Sequence, residues 1–74
     1  MNANRRKEIA KIVTELEELK SRLETVLEEE QEYYDNVPEN LQNSERYQES
    51  EEYISYMEDA VSEFDSIIDA LSNI

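Results

Sequence analysis

The stretch Tyr33-Tyr34-Asp35-Asn36-Val37-Pro38-Glu39-Asn40-Leu41-Gln42-Asn43-Ser44-Glu45-Arg46-Tyr47 interrupts a chain whose remaining sequence has the pattern of long helices. Pro38 has no amide hydrogen and its ring clashes with the preceding turn, so a helix cannot continue through it at low cost. Asn36 suits the left-handed conformation that ends many helices shortly before a proline. Ser44 is a residue type that caps the amino terminus of a helix. The stretch therefore predicts a helix, a structured turn and a second helix, with one short helical turn at residues 38–41 that points Leu41 inward.

Length and composition limit what this chain can be. Its 74 residues form at most one domain and include no cysteine, no histidine and no glycine. Disulfide cross-links, structural zinc sites and glycine-rich phosphate loops are therefore excluded. The net charge of −13 disfavours direct binding of nucleic acid and of anionic membrane surfaces. No apolar run is long enough for a signal peptide or a membrane span, so we expect a cytoplasmic protein that binds neither nucleic acid nor membrane.

Apolar residues recur at alternating steps of three and four on both sides of the turn, which is the heptad pattern of helices that pack on other helices. The first helix is predicted at about residues 3–34, the turn at about 35–43 and the second helix at about 44–73. Before the turn, where only Glu30 breaks the series, the predicted contact positions are Ile9, Ile12, Leu16, Leu19, Leu23, Val26 and Tyr33. After the turn they are Tyr47, Ser50, Ile54, Met57, Val61, Phe64, Ile68 and Leu71.

An antiparallel register follows from pairing residues whose numbers sum to 80. This pairing aligns the two apolar series and places Glu30 opposite Ser50, so that the two polar interruptions share one layer. A rival series on the second helix has the same spacing and would shift that helix by about one turn. It consists of Tyr53, Met57, Ala60, Phe64, Ile67, Leu71 and Ile74.

The charges also favour an antiparallel arrangement, because it places the basic start of the first helix beside the acidic end of the second. The residues expected to meet there are Arg5, Arg6, Lys7 and Lys11 on the first helix, and Asp65 and Asp69 on the second.

The predicted fold class is all-α: an antiparallel two-helix coiled-coil hairpin that dimerises into a four-helix bundle. A contact between two helices needs two apolar positions per heptad, whereas these helices carry about three. The third position would stay in water on a lone hairpin, and a second copy would bury it. The candidate residues for this homo-oligomer interface are Val13, Leu27, Ala60 and Ile67.

All five tyrosines lie near the turn end of the predicted hairpin. One interpretation is a structural cap, in which Tyr33 and Tyr47 stack beneath Leu41 and Val37. The other is a tip that binds a protein partner, since tyrosine is frequent among the residues that dominate interfaces. The candidate partner-binding residues are Tyr34, Leu41, Tyr53 and Tyr56.

Nothing in the sequence indicates an enzyme. A nucleophile needs a neighbouring base, and without histidine or cysteine few residue types can supply such a pair. Runs of carboxylates such as Glu28–Glu30 are explained by a solvated helix face, and the histidine of di-iron bundles is missing. Asp35, Val37 and Glu39 lack the spacing and the central glycine of a calcium loop. We therefore expect no catalytic residue, no cofactor and no metal.

The segment Tyr34–Tyr47 resembles the turn of a family of small acidic helical-hairpin proteins from bacteria and phages that has no assigned activity. In that family a D-N-x-P-E-x-L-Q-x-S-E-R turn joins two acidic heptad helices, and the matching residues here run from Asp35 to Arg46. The resemblance implies a bacterial or mobile-element origin, where small acidic proteins often act as inhibitors or adaptors. It implies no functional residue.

Three functions remain open on the sequence. The first is a non-enzymatic protein-interaction module that self-associates and binds a protein partner. The second is an inhibitor of a nucleic-acid-handling or defence enzyme that mimics DNA, because two chains would carry a charge of −26 over roughly 45 Å, near DNA's one charge per ~1.7 Å. The candidate acidic face for this function is Glu58, Asp59 and Glu63. The third is a small structural subunit whose assembly partner covers the spare apolar surface.

Overall fold

The computed structural model describes residues 1–74 and consists of two long α-helices that lie side by side. Helix α1 spans Ala3–Asp35, helix α2 spans Glu45–Ser72, and a short 3-10 helix at Glu39–Leu41 lies between them. The molecule is an all-helical hairpin that measures 60 × 15 × 13 Å. In this long, thin shape each helix has one neighbouring helix and is otherwise open to solvent.

Side-chain caps define the start of both helices. The Asn2 Oδ1 atom accepts a hydrogen bond from the Arg5 N–H at 2.8 Å, and the Ser44 Oγ atom accepts one from the Tyr47 N–H at 3.2 Å. Each bond satisfies one of the amide donors that the first turn of a helix leaves free. The predicted capping role of Ser44 is therefore confirmed.

The end of α1 differs from the prediction. Asn36 has φ −100° and ψ 3°, which is not left-handed, and no residue of the chain has a positive φ. The Asn36 N–H and Nδ2 groups instead donate to the Glu32 carbonyl, at 3.2 and 2.7 Å. The asparagine side chain thus helps to satisfy a carbonyl at the helix end, so no left-handed residue is required.

The short helical turn predicted after Pro38 is present, and the Leu41 N–H donates to the Pro38 carbonyl at 2.9 Å. The Leu41 side chain, however, is half exposed, so the prediction that it points inward is wrong. The reason is that the stacked rings of Tyr34 and Tyr47 already close this end of the contact between the helices.

Contacts between α1 and α2 define an antiparallel register. The Ser50 hydroxyl donates to the Glu30 Oε1 atom at 2.9 Å, which confirms the predicted shared polar layer. Nearer the chain termini, Lys20 Nζ lies 2.6 Å from Asp65 Oδ1, the one ion pair of the hairpin. Asp65 therefore pairs with the middle of α1, and the expected ion pairs with the basic residues at its start do not form.

On α2, the predicted contact series faces α1. Ser50 and Ile54 are its most buried members, at 2 % and 6 % exposure, whereas Tyr53, Ile67 and Ile74 of the rival series are exposed. The register with α2 shifted by one turn is therefore wrong. It would turn these three large apolar residues toward α1 and move Ser50 away from its hydrogen-bond partner.

The side of α1 that faces α2 agrees with one of the two predicted contact positions in each heptad, at Ile9, Leu16 and Leu23, and differs by one residue at the other. The half-buried residues that recur along it are Ile9, Val13, Leu16, Lys20, Leu23, Leu27, Glu30 and Tyr34. The predicted contact positions Ile12, Leu19, Val26 and Tyr33 are exposed instead. This rotation of α1 retains the Glu30–Ser50 layer and adds the tyrosine stack and the lysine ion pair, which explains why it prevails.

The core of the single hairpin is thin. Ile54 is its only buried hydrophobic residue, and no large side chain is completely buried. Small domains of this length gain little from one core even when it is well filled. The chain therefore carries considerably more apolar surface than the contact between α1 and α2 covers.

Candidate functional site

Exposed apolar residues recur along both helices at intervals of seven. On α1 they are Ile12, Leu19, Val26 and Tyr33, and on α2 they are Tyr53, Ile67 and Ile74, with the half-buried Ala60 completing the series. Tyr56 lies beside this series and is the most exposed of the set, at 64 %. We refer to these nine residues as the apolar strip.

Both halves of the apolar strip lie on the same side of the hairpin. Each α1 member immediately precedes a residue that faces α2, as Val26 precedes Leu27, and on α2 Tyr53 precedes Ile54 in the same way. Two antiparallel helices are related by a two-fold axis perpendicular to the plane that contains them. Rotation about this axis exchanges the helices but not the two sides of the plane. The residues that immediately precede the contact residues therefore lie on the same side of the hairpin in both helices. A surface pocket lined by Tyr33 and Tyr53, one from each helix, agrees with this placement.

The opposite side of the hairpin is polar and mostly acidic. It carries the residues four positions after every second contact residue, and we refer to them as the acidic side: Glu17, Glu24, Gln31, Glu51, Glu58 and Asp65. Gln31 and Glu58 line one pocket there. The hydrogen bond to Asp65 raises the pKa of the Lys20 amine above its ordinary value, although partial desolvation opposes the shift. The hairpin is thus apolar on one side and acidic on the other.

The tip of the hairpin contains an open pocket of about 650 Å³ that adjoins the apolar strip. Tyr33, Val37, Pro38 and Leu41 form its apolar part, and its polar lining is Glu29, Glu32, Asn36, Ser44 and Arg46. The pocket is large enough for several side chains of a partner. Its chemistry suits an apolar group that carries a positive charge beside it.

The tyrosines do not pair as the sequence predicts. Tyr34, not Tyr33, stacks on Tyr47, with ring centroids 4.3 Å apart and planes inclined by 10°. The interaction with the Tyr47 hydroxyl, followed by desolvation and by the nearby Glu51 carboxylate, raises the pKa of Tyr34 to about 12. The structural role expected of Tyr33 therefore belongs to Tyr34, and Tyr33 is available at the surface.

The structure separates the candidate partner-binding residues into two groups. Leu41, Tyr53 and Tyr56 are exposed at the tip or on the apolar strip. Tyr34 is half-buried in its stack, which leaves it poorly placed to reach a partner.

The three residues of the candidate acidic face are all exposed but do not point in one direction. Glu58 belongs to the acidic side, whereas Glu63 lies between Ala60 and Ile67 along the border of the apolar strip. At 3.6 residues per turn the three side chains spread over about 140° of the circumference of α2. They cannot all contact one flat surface.

The candidate oligomer residues also fall into two groups. Ala60 and Ile67 belong to the apolar strip, whereas Val13 and Leu27 are half-buried against α2. The residues that the strip presents from α1 are their immediate neighbours Ile12 and Val26, together with Leu19 and Tyr33. The heptad spacing of this second series was visible in the sequence, but spacing alone did not show which series faces α2.

The structure and the comparisons with known proteins add no chemistry to these surfaces. No group of three or more acidic side chains is arranged to hold a metal ion. Neither helix is both long and apolar enough to cross a membrane. No family model matches the chain, and neither a curated protein nor a solved structure is detectably similar to it.

Proposed function

We propose that this chain is a non-enzymatic protein-interaction module that self-associates through the apolar strip and binds a protein partner at its tip. The observation that carries the proposal is the alignment of both exposed apolar series on one side of the hairpin. Monomeric proteins rarely expose a contiguous apolar patch of this extent. A second copy of the chain offers the same patch in return, as the isologous interface of a homodimer requires.

The size of the apolar strip fits an interface between two chains. Its large residues and Leu41 are between 39 % and 64 % exposed. With roughly 180 Å² for each complete side chain, the exposure of the strip residues alone amounts to about 730 Å² per chain, close to the share of one partner in a standard interface. The strip alone therefore supplies the area that a specific dimer buries.

The distribution of charge is compatible with this packing. The acidic side faces away from the apolar strip, so that most of its carboxylates remain in water when two strips meet. Two chains still carry a net charge of −26, and their mutual repulsion weakens association at low ionic strength. Self-association should therefore strengthen as salt is added, which is the behaviour of an apolar interface between like-charged proteins.

The tip pocket supplies the second binding surface. Glu29 and Glu32 stand beside the apolar group formed by Tyr33, Val37 and Leu41. A partner segment with an apolar side chain next to lysine or arginine would satisfy both parts of this lining. Leu41→Ser should weaken binding of such a partner without changing the mass of the oligomer, and Glu58→Gln on the acidic side is the control.

Matched glutamate substitutions on α2 test the role of the apolar strip. Ile67→Glu places a charge in the strip and should convert the oligomer to a monomer in size-exclusion chromatography with light scattering. Ser62→Glu adds the same charge at an exposed position outside the strip and should leave the mass unchanged. Equal effects of the two substitutions would refute the assignment of the interface.

DNA mimicry gains no comparable support. The hairpin is 60 Å long, so two chains with a charge of −26 would carry one charge per 2.3 Å, a lower density than the duplex has. The candidate acidic face is also dispersed around α2. We therefore infer an interaction module and not a DNA mimic.

A further inference from the structure

We infer that the two hairpins of the dimer pack strip to strip with their tips at opposite ends. This inference rests on the self-association proposed above and adds its symmetry and register. It follows from the distribution of charge along the hairpin, which is very uneven, and from the order of side chains along the apolar strip.

Two arrangements are open to a face-to-face dimer with two-fold symmetry. If the two-fold axis runs along the hairpin, the tips lie at the same end and α1 of one copy packs on α2 of the other. If the axis runs across the hairpin, the tips lie at opposite ends, α1 packs on α1 and α2 packs on α2. Neighbouring helices are antiparallel in both arrangements, so the backbone alone does not favour either one.

Charge favours the arrangement with opposite ends. The half of the hairpin nearer the tip, residues 20–59, contains thirteen acidic and three basic residues, a net charge of −10. The other half, residues 1–19 and 60–74, contains seven acidic and four basic residues, a net charge of −3. With the tips at the same end, the two halves that each carry a net charge of −10 would pack against each other. Tips at opposite ends pair each −10 half with a −3 half, which reduces the repulsion.

The basic residues at the start of α1 make this pairing locally favourable. Arg5, Arg6, Lys7 and Lys11 are the only basic residues of the less charged half, and α1 has no acidic residue in its first turn. In the opposite-end arrangement, Arg5 of one copy lies beside Tyr33 of the other, one helical turn from Glu29 on the same side. Lysine and arginine near a helix amino terminus are disfavoured by the helix dipole, so carboxylates from a second copy would offset this effect.

The apolar strip fixes the register. Its α1 members lie nearer the tip and its α2 members nearer the termini, and the midpoint of the whole strip falls at Leu19 and Ala60, which share one layer. With the two-fold axis at this layer, Val26 meets Ile12 of the second copy. Tyr53 then meets the second copy's Ile67, so that this aromatic ring packs on an aliphatic side chain. Ala60 meets its own equivalent, where the small side chains allow α2 and its copy to approach closely.

Two single-cysteine variants test the arrangement, because the natural chain contains no cysteine. A spin label on Asn43→Cys, an exposed position in the turn, reports the distance between the two tips by pulsed electron resonance. Tips at opposite ends predict a separation close to the 60 Å length of the hairpin. Tips at the same end predict less than about 30 Å, since packed helices are about 8–10 Å apart, and this result would overturn the inference.

The register is tested by oxidation of Ala60→Cys, with Ser62→Cys as the matched control outside the strip. The proposed register predicts an intermolecular disulfide for Ala60→Cys alone, whereas the same-end arrangement places Ala60 on Leu19 of the second copy and predicts none. Light scattering on the same samples distinguishes failure of the opposite-end arrangement from failure of self-association itself. A dimer with a short distance between tips refutes the arrangement but retains self-association, and a monomer at tens of micromolar refutes both.

Discussion

The hydrogen bond between Ser50 and Glu30 offers a quantitative test of how the hairpin is held in register. Ser50 is the most buried residue of the chain, at 2 % exposure, and its hydroxyl donates to the Glu30 carboxylate at 2.9 Å. Hydrogen bonds to charged groups contribute about 1.5–3 kcal/mol. Because Glu30 is only half-buried, water replaces part of the lost contact, and Ser50→Ala should lower the free energy of unfolding by about 1–2 kcal/mol.

A variant with both residues replaced isolates the energy of the hydrogen bond between Glu30 and Ser50 from the other contacts of the two side chains. Glu30→Leu with Ser50→Ala converts the polar layer into an apolar one and should be at least as stable as the natural chain, since replacing a buried polar pair by apolar side chains is often neutral or stabilising. The coupling energy between the two substitutions should be about 1 kcal/mol or more.

Urea unfolding followed by circular dichroism measures all four chains of this cycle. A single protein concentration must be used, because the stability of a self-associating protein depends on concentration. A coupling energy below about 0.3 kcal/mol, within the usual error of additivity, would show that the bond contributes nothing and would refute the argument.

Three further predictions concern the core, the tyrosine stack and the net charge. Ile54→Ala should destabilise the hairpin by about 2–4 kcal/mol in urea unfolding, because it removes the one buried hydrophobic side chain, whereas the exposed Ser55→Ala should change little. The pKa of Tyr34 is raised to about 12, above the ordinary value of 10.0, so the folded state holds this proton more tightly. Its stabilisation is complete below pH 10 and lost as the pH rises through 12. Ultraviolet titration should therefore show a late component that Tyr34→Phe removes, and a titration curve that this substitution leaves unchanged at high pH would contradict it. The melting temperature should rise with salt, because one ion pair cannot offset the repulsion of a net charge of −13, and a fall with salt would show that ion pairing dominates.

The two helices and the turn could be predicted because local residue chemistry determines them. Pro38 ends the possibility of a continuous helix, and Ser44 forms the cap that its residue type favours. The register could also be predicted, since Glu30 and Ser50 are the only polar interruptions of the two predicted apolar series and pairing them keeps both polar groups in one layer. These predictions depend on single residues with few alternative roles.

The rotation of α1 could not be predicted, because apolar residues stand next to each other in three of four heptads. Ile12 and Val13 are nearly equivalent in hydrophobicity, as are Val26 and Leu27, so spacing supports either series. In the remaining heptad Leu19 adjoins Lys20, and hydrophobicity alone favours the wrong residue as the one facing α2. The lysine is tolerated there because its chain packs along the contact while its amine reaches Asp65 at the edge.

This rotation decides the candidate site as well as the fold. The sequence predicts one spare apolar position per heptad and hence a self-associating hairpin, but the residues that form the apolar strip depend on which series turns toward α2. The position of the turn was predicted correctly, whereas the prediction that Tyr33 stacks on Tyr47 was wrong, because Tyr34 does so. The choice between these two tyrosines depends on ring geometry across the two helices, which spacing does not encode.

The mass of the natural chain in solution tests the central claim, that the apolar strip joins two copies. Sedimentation equilibrium at tens of micromolar and moderate salt should give twice the chain mass of 8.8 kDa, with dissociation on dilution and tighter association at higher salt. A mass of 8.8 kDa at every concentration and salt, with the helices intact by circular dichroism, would contradict the account.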